Sequence, residues 1–252
     1  MRFDVITIFP QVFDSYLSES MMKRARVRKL VDIGVHDLRK FTHDKHKKVD
    51  DRPYGGGPGM VLKIEPIIKA LGSILRNSKS ETLNSKQVPK SKSSKSKTKI
   101  ILFSAAGRQF DQKMARELAK KYDRIIMIAG HYEGVDERIK KVIENLKFKI
   151  ENLSVGPYVL TGGELPVMIM IDAVSRHIPG FLGKAESLEE KRHGIGVPVY
   201  TRPEVLNYMG KKYPVPKLLL SGNHAKITKW RQKHQKKKVK KYLQKSAVLP
   251  RS

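Results

Sequence analysis

The chain has 252 residues, of which 39% are hydrophobic and 30% charged, enough for one large domain with a real core and a smaller second one. It contains no cysteine, which excludes disulfides, thiolate metal sites and cysteine nucleophiles. The net charge of +28 favours a polyanionic partner, and nucleic acid is the usual one. No apolar run is long enough to span a membrane and the first residues lack signal-peptide features, so we expect a cytoplasmic protein with no membrane partner.

Two segments carry most of the positive charge. Residues 76–99 hold eight lysines and arginines against one acid, and residues 224–252 hold eleven and no acid. The first segment is rich in serine and lysine, a composition typical of disorder, so we interpret it as a disordered basic insertion. A solvated surface would explain such charge runs without any partner, but their extent favours binding of RNA or DNA.

Apolar periodicity predicts alternating strands and helices along most of the chain. The predicted strands are residues 2–9, 31–38, 99–107, 123–130 and 148–155, and the predicted helices are residues 11–17, 21–30, 65–76, 112–122, 135–146 and 164–178. This alternation predicts an α/β domain with a parallel sheet over residues 1–180. Residues 181–203 are typical of a linker, and residues 204–252 predict a small, mainly helical, basic domain.

Two glycine-rich loops follow predicted strands. GHYEGVDER at 130–138 comes after one apolar run, and SVGPYVLTGGELP at 154–166 comes after the next. Glycine allows the backbone to approach a ligand closely, so the loops predict a pocket in which main-chain groups hold a small molecule. Their spacing matches neither the dinucleotide fingerprint nor the phosphate loop, so neither a dinucleotide nor a nucleoside triphosphate is favoured.

A third glycine-rich segment, DDRPYGGGPGM at 50–60, lies in a long polar loop that spans residues 39–63. Long loops with such content are more often functional than structural. The simpler alternative is a mobile surface hairpin, which would need neither the tyrosine nor the paired carboxylates. The segment therefore indicates a functional loop without naming a reaction.

Several titratable residues have both a functional and a structural interpretation. Glu133 lies inside a glycine loop and is a candidate ligand for a hydroxyl or amine, whereas Asp136 fits helix capping equally well. His131 could be a base, but a single histidine in a loop usually has no functional role. Asp172 lies in an otherwise apolar helix and needs a partner, either Arg176 four residues later or a substrate. No zinc-protease or serine-hydrolase motif is present.

Seven motifs occur in one order along nearly the whole chain: DDRPYGGGPGM, LFSAAGR, AGHYEGVDER, SVGPYVLTGGELP, DAVSRHIPGFLG, PVYTRPEV and LLSGNHAKITKWR. In these motifs the chain resembles the bacterial tRNA (guanine-N1)-methyltransferases of the SPOUT superfamily. That resemblance implies a trefoil knot at the C-terminal end of the parallel-sheet domain, an exception to the general absence of knots. It further implies S-adenosylmethionine as cofactor, methylation of guanosine 37 beside the anticodon, a homodimer with shared active sites, and tRNA binding by the basic C-terminal domain.

The resemblance also implies the site residues. The cofactor contacts would be Leu102, Phe103, Ser104, Ala105, Gly130, Tyr132, Glu133, Gly134, Ser154, Val155, Gly156, Pro157, Tyr158, Val159, Leu160, Gly162, Gly163 and Pro166. The substrate contacts would be Asp50, Asp51, Arg52, Tyr54, Gly59, Arg202, Ser221, Gly222, Asn223 and His224. At position 157 many relatives have aspartate, and because proline lacks an N–H we expect one backbone contact to be lost there.

The reaction requires a base for the guanine N1 proton and a positive group for the charge that develops on O6. The arginine of the family motif aligns with Arg176, and Mg²⁺ is the other candidate for the O6 charge. An ungapped match places Lys191 where relatives have the basic carboxylate, and a protonated lysine cannot accept a proton. We therefore expect Glu190 to be the base, with Glu189 as the alternative.

Two other functions remain open on the sequence. One is a methyltransferase of the same superfamily that acts on another RNA base or on a ribose hydroxyl. DDRPYGGGPGM argues against it, because that loop is particular to the guanine-N1 family. The other is a non-catalytic RNA-binding relative, which the altered residues 187–193 keep open.

Overall fold

The computed structural model describes residues 1–84, 97–183 and 197–245, with side chains for residues 1–76, 97–183 and 197–234. Two units are distinguished, Met1–Phe181 and Leu182–Ser252. The strands are β1 Arg2–Thr7, β2 Asp32–Asp37, β3 Asp50–Asp51, β4 Val61–Leu62, β5 Thr98–Gln109, β6 Arg124–Ile128, β7 Ile150–Ser154, β8 Val205–Tyr208 and β9 Lys211–Pro214. The α-helices are α1 Asp14–Leu17, α2 Ser20–Val27, α3 Ile64–Asn84, α4 Gln112–Lys121, α5 Arg138–Asn145, α6 Glu164–Ser175, α7 Lys217–Leu220 and α8 His224–Lys245.

A five-stranded sheet with the order β2-β1-β6-β5-β7 forms the centre of the first unit, and every strand pair in it is parallel. The central strand β6 is buried along its whole length, as its continuous apolar sequence RIIMI requires when both faces are covered. Helices α3 and α5 pack on one face, where Ile67, Leu71 and Ile143 join the core. The predicted α/β class and parallel sheet are thus confirmed.

Helices α4 and α6 contact each other, and α6 also contacts β1. The first of these helices begins as predicted, because the Asp111 carboxylate accepts a 2.8 Å hydrogen bond from the Met114 N–H. In α6 one stripe is fully buried, including Val167, Met170 and Val174. The first three residues of α6 belong to the second glycine-rich segment, so the helix begins at the predicted pocket.

A buried carboxylate links three strands of this sheet. Asp4 is fully buried in β1, and its oxygens lie 2.6 Å from Arg124 Nε in β6 and 2.8 Å from His36 Nε2 in β2. Burial raises the pKa of Asp4, but the hydrogen bonds from His36 and Arg124 and the charge of Arg124 outweigh it and lower the pKa to about 2. The paired charge therefore stabilises the folded state while Asp4 is ionised.

We expect Asp4→Asn to lower the free energy of unfolding by about 3–5 kcal/mol at neutral pH, because Arg124 would be left buried without its counter-charge. Since the folded pKa is depressed, the wild-type stabilisation is fully present above about pH 4 and is lost as the pH falls towards about 2. Urea unfolding at pH 7 and pH 3 measures both effects. Asp32→Asn, at the exposed partner of Arg2, is the control, and an equal loss in the two variants would contradict the prediction.

Three sequence predictions need correction. The loop at 39–63 contains a short 3-10 turn at Leu38–Phe41 and the antiparallel pair β3–β4, which cover only two residues each. The helix predicted over 164–178 ends at Ser175. Of the proposed insertion at 76–99, the structure assigns the first part to the end of α3 and the last residues to β5, and residues 85–96 lie outside the described ranges.

The second unit, predicted to be mainly helical, contains two helices and also a hairpin that the sequence analysis did not predict. Strands β8 and β9 pair antiparallel and are followed by α7 and α8. Its aromatic contacts centre on Trp230, whose ring lies 3.9 Å from that of His234 and 6.4 Å from that of Tyr200. Among the helices of the described residues, none combines the length and the apolar character that crossing a bilayer would require.

Candidate active site

Three chain segments converge at the carboxyl ends of β5, β6 and β7 to form a cleft of about 560 Å³. This is the edge of a parallel sheet at which ligands usually bind. Between Phe103 and Arg108, β5 leaves its register with β7, and the irregular residues face the cleft. The walls are residues 102–106, 130–137, 152–155 and 158–163, together with Val61 and Pro166.

Two glycines allow these segments to pass each other at backbone contact. A Cβ on Gly163 would lie 2.7 Å from the Ala129 Cα, and a Cβ on Gly107 would lie 2.6 Å from the Leu153 carbonyl carbon. The Gly163 N–H donates a 2.7 Å hydrogen bond to the Gly130 carbonyl and so fixes the second glycine loop against the first. Glycine is needed at both positions because any side chain would push backbone segments apart.

The DDRPYGGGPGM loop is anchored to the first glycine loop at its C-terminal end. The Glu133 N–H donates to the Met60 carbonyl at 3.0 Å, and the Leu62 N–H donates to the Gly134 carbonyl at the same distance. Gly59 has φ +84° and packs so closely against the Glu133 side chain that a Cβ would lie 2.4 Å from it. The other end of the loop is open, since Tyr54 is 99% exposed. A loop that is anchored at one end and exposes an aromatic side chain at the other is more consistent with a functional loop than with a mobile surface hairpin.

A carboxylate at the rim of the cleft is held ionised. Asp136 accepts hydrogen bonds from the Arg138 N–H at 3.0 Å and from Arg138 Nε at 2.9 Å. The side-chain hydrogen bond from Arg138 is the main cause that lowers the pKa of Asp136. Asp136 thus accepts a hydrogen bond from the N–H of the first residue of α5 and also lines the cleft. Its lowered pKa makes it a good acceptor for a ligand hydroxyl and a poor proton acceptor.

A buried polar network supports the floor of the cleft. Thr7 Oγ1 donates a 2.7 Å hydrogen bond to Glu164 Oε1 and accepts one of 2.9 Å from the Phe9 N–H. The other carboxylate oxygen, Oε2, lies 3.9 Å from His131 Nδ1, which is buried and has no hydrogen-bond partner among the described residues. The ring of His131 also packs edge-on against Phe9 and Tyr132. This histidine, expected to be a bystander, thus forms part of the cleft wall.

Most of the predicted cofactor residues line this cleft, and two do not. Gly156 lies beneath the Tyr158 ring, and neither it nor Pro157 faces the cavity. Cleft-lining residues that the sequence analysis did not assign to the site are Val61, Ala106, His131, Val135, Glu137, Asn152, Leu153 and Thr161, whereas Asp136 had been considered as a possible ligand. Most of them are interleaved with predicted residues in the same three segments, so their position beside the glycines was the available signal.

Comparison with known proteins decides the family. Residues 1–246 match the model of the tRNA (guanine-1)-methyltransferase TrmD family. A tRNA (guanine-N(1)-)-methyltransferase of Dehalococcoides mccartyi is 45% identical over 236 residues, 92% of this chain and 85% of the relative. Proteins of the same name from Dictyoglomus turgidum and a Geobacter species are 44% and 40% identical over 242 residues, 95% of this chain and 86% of each relative.

The chain belongs to the TrmD family of tRNA (guanine-1)-methyltransferases. The resemblance seen in the seven motifs is thereby confirmed, together with the enzyme class it implied, methyl transfer to guanine N1 of tRNA. The cleft is consequently the candidate methyl-donor site.

Of the groups expected to carry the chemistry, Arg176 does not line this cleft. Arg176 lies just beyond the last residue of α6, so it is about 18 Å along the helix from Glu164 at the cleft end. Four residues before it, Asp172 accepts a hydrogen bond from the Tyr16 hydroxyl, and burial together with the Asp172 charge raises the pKa of Tyr16. Glu189 and Glu190 lie outside the described residues.

The remaining predicted substrate residues lie in two places. Asp50 and Asp51 form β3, where Asp51 pairs with Lys63 at 3.2 Å, and Arg52 follows them on the surface. In the second unit, Arg202 is exposed, and the SGNH motif of residues 221–224 forms the exposed start of α8. The side chain of Asn223 caps this helix by accepting a 3.0 Å hydrogen bond from the Lys226 N–H. In the described part of the chain, no three His, Asp or Glu side chains come together as a metal-binding group.

Proposed function

We propose that this chain transfers the methyl group of S-adenosylmethionine to N1 of guanosine 37, beside the anticodon of tRNA, and so supports reading-frame maintenance. The observation that carries the proposal is the glycine-built cleft in a chain that belongs to the guanine-N1 family over residues 1–246. A tRNA substrate would also account for the net charge of +28, and we expect the enzyme to act in the cytoplasm.

The cleft residues suit a compact donor with a polar and an apolar part. Leu102, Phe103 and Leu160 offer apolar contacts, and the backbone of the glycine loops offers N–H and C=O groups. The carboxylates of Glu133 and Asp136 suit an amine or hydroxyl groups. When bound, S-adenosylmethionine supplies a methyl group on a positively charged sulfur, and the rest of the chemistry falls to the chain.

That chemistry is an exchange of a proton for a methyl group at guanine N1. As the new C–N bond forms, the bond from the methyl carbon to the donor sulfur would break, and its electron pair would stay on the sulfur as a neutral thioether. The N–H bond of guanine N1 breaks as well, and we assign the departing proton to the carboxylate of Glu190. The guanidinium of Arg176 would stabilise the negative charge that develops on O6. Mg²⁺ would be another source of that stabilisation, and addition of a chelator to the transfer assay would measure its contribution.

We infer further that the chain segments around the cleft form a trefoil knot, in which one segment passes through a loop made by the others. Support comes from the backbone contacts at the two crossing glycines, where Gly163 lies against Ala129 and Gly107 against Leu153. Three segments from different strands lie within one cleft, which is the arrangement that a threaded chain would produce.

In a homodimer, Arg176 of one copy could lie at the cleft of the other copy. The outer stripe of α6 carries Leu165 and Ile169 in exposed positions and reaches Arg176 with the spacing of successive turns. Val12 is also exposed and lies on the 3-10 turn Pro10–Phe13, which contacts α6. We propose that this surface packs against a second copy of the chain, so that the arginine of one copy serves the cleft of the other.

Mapping the methylated nucleotide tests the proposal. Purified protein is incubated with labelled S-adenosylmethionine and unmodified tRNA transcripts, and the product is digested to locate the methyl group. We expect 1-methylguanosine at position 37, and only in transcripts with guanosine there. A methyl group on another base or ribose would indicate a different target, and RNA binding without transfer would indicate a non-catalytic relative.

A further inference from the structure

The β8–β9 hairpin of the second unit exposes all eight of its strand residues. Leu206 pairs with Tyr213, and Tyr208 pairs with Lys211. Because directly paired residues and alternate residues of one strand share a face, these four side chains lie on one side of the hairpin. The two tyrosines are 58% and 52% exposed, so their rings are open to an external partner.

The tip of the hairpin is a two-residue turn that carries an exposed side chain. Met209 and Gly210 have φ values of 46° and 70°, which is the two-residue type I′ turn that matches strand twist. Asparagine or glycine usually occupies the first of these positions, because a larger side chain is strained there. Met209 is nonetheless 83% exposed. A strained and solvent-facing methionine beside two open tyrosines indicates a contact surface.

The charge around this surface indicates which partner it fits. No acidic residue occurs anywhere between Val205 and Ser252, and Lys211 lies on the tyrosine face of the hairpin. Exposed aromatic rings next to lysines form a platform on which bases stack while the cations follow the phosphates. An apolar protein partner would match the rings but would leave the lysines without a counter-charge.

We propose that the face formed by Leu206, Tyr208, Lys211 and Tyr213 stacks on unpaired bases of the tRNA substrate. This inference rests on the proposed function, since it takes tRNA as the ligand. Tyr208 and Tyr213 are diagonal neighbours about 7–8 Å apart, a spacing at which each ring can meet a separate base. Unpaired loop bases are the part of an RNA that proteins reach in this way.

Binding of an unmodified tRNA transcript, followed over a range of salt concentrations, tests the proposal. We expect Tyr208→Ala and Tyr213→Ala each to weaken binding about 5- to 150-fold with an unchanged salt dependence, because stacking releases no counterions. Tyr208→Phe keeps the ring and should bind like the wild type. Val205→Ala alters the opposite face and should also be neutral. A fully base-paired RNA duplex of equal length should bind all variants alike.

Three outcomes would overturn the proposal. Wild-type affinity in the Tyr208→Ala, Tyr213→Ala double variant would show that the face does not meet RNA. A reduced salt dependence would show a phosphate contact instead of stacking. If the double variant sedimented as single chains while the wild type sedimented as a dimer, the face would contact protein and not RNA. Methyl transfer by the wild type is measured separately. A failure of the proposed tRNA methylation can therefore be distinguished from a failure of the proposed base stacking by the hairpin.

Discussion

Replacing Glu190 by glutamine is expected to lower the rate of methyl transfer by about 10²- to 10⁴-fold, the range for loss of a general base. Glutamine keeps the size of the side chain but cannot accept the guanine N1 proton. Because Glu190 is proposed to act on the RNA base and not on the donor, the affinity for S-adenosylmethionine should stay unchanged. Single-turnover transfer to a tRNA transcript and calorimetry with the cofactor measure the two quantities on the same protein.

Glu189→Gln is the matched control, since it removes the same charge one residue away. If Glu190 is the base, the control should transfer methyl groups at nearly the wild-type rate. A large loss in the control alone would assign the base to Glu189. Wild-type rates in both variants would place the base elsewhere in the chain. The wild-type rate should also rise with pH until the base is fully ionised, and this rise should be absent from the inactive variant.

The strands of the sheet could be predicted because burial on both faces imposes a local pattern. The continuous apolar sequence RIIMI of β6 indicates a strand buried on both faces, as in a parallel sheet. β1 is buried over five of its six residues although its sequence contains Asp4 and Thr7, so its burial on both faces is not evident from composition. β3 and β4 could not be predicted in this way. Each covers two residues, and they are held by hydrogen bonds to the loop around Glu133 and Gly134, which lies about seventy residues later.

The β8–β9 hairpin was missed for a similar reason. Its turn uses Met209-Gly210, whereas the sequence signal for a type I′ turn is asparagine or aspartate before glycine. Its strands also lack the alternation of buried and exposed residues, because every position is exposed. A hairpin that serves an external partner need not carry the pattern by which a buried strand is recognised.

At the candidate site, the glycine-rich loops predicted a pocket, but the sequence did not show why glycine is required at particular positions. Gly163 and Gly107 are required where two backbones cross, which only the tertiary structure reveals. His131 depends equally on long-range packing, because its neighbour Glu164 is fixed by Thr7 from β1. Local sequence contains no trace of a contact made between residues that are 157 positions apart.

The position of Arg176 leads to the second prediction of large effect. We expect Arg176→Ala to lower the rate of transfer by about 10²- to 10³-fold, as removal of an oxyanion-stabilising group does elsewhere. Cofactor affinity should be unchanged, because the arginine is proposed to act on guanine O6 and not on the methyl donor. Lysine at this position would keep the positive charge but lack the planar guanidinium with its paired N–H donors. Arg176→Lys should therefore be faster than Arg176→Ala but slower than the wild type.

A mixed dimer tests whether the arginine acts on the cleft of the other copy. The second variant is Ala105→Trp, whose indole would fill the cleft and abolish cofactor uptake, which calorimetry checks. The Ala105→Trp dimer alone should be inactive, and the Arg176→Ala dimer alone should keep about 1% of the wild-type rate or less. If sites are shared, a heterodimer purified through two different tags has one intact site, with the cleft of the Arg176→Ala copy and the arginine of the Ala105→Trp copy. It should show about half of the wild-type activity. If the arginine serves its own cleft, both sites of the heterodimer are defective, and an inactive heterodimer would refute the shared site.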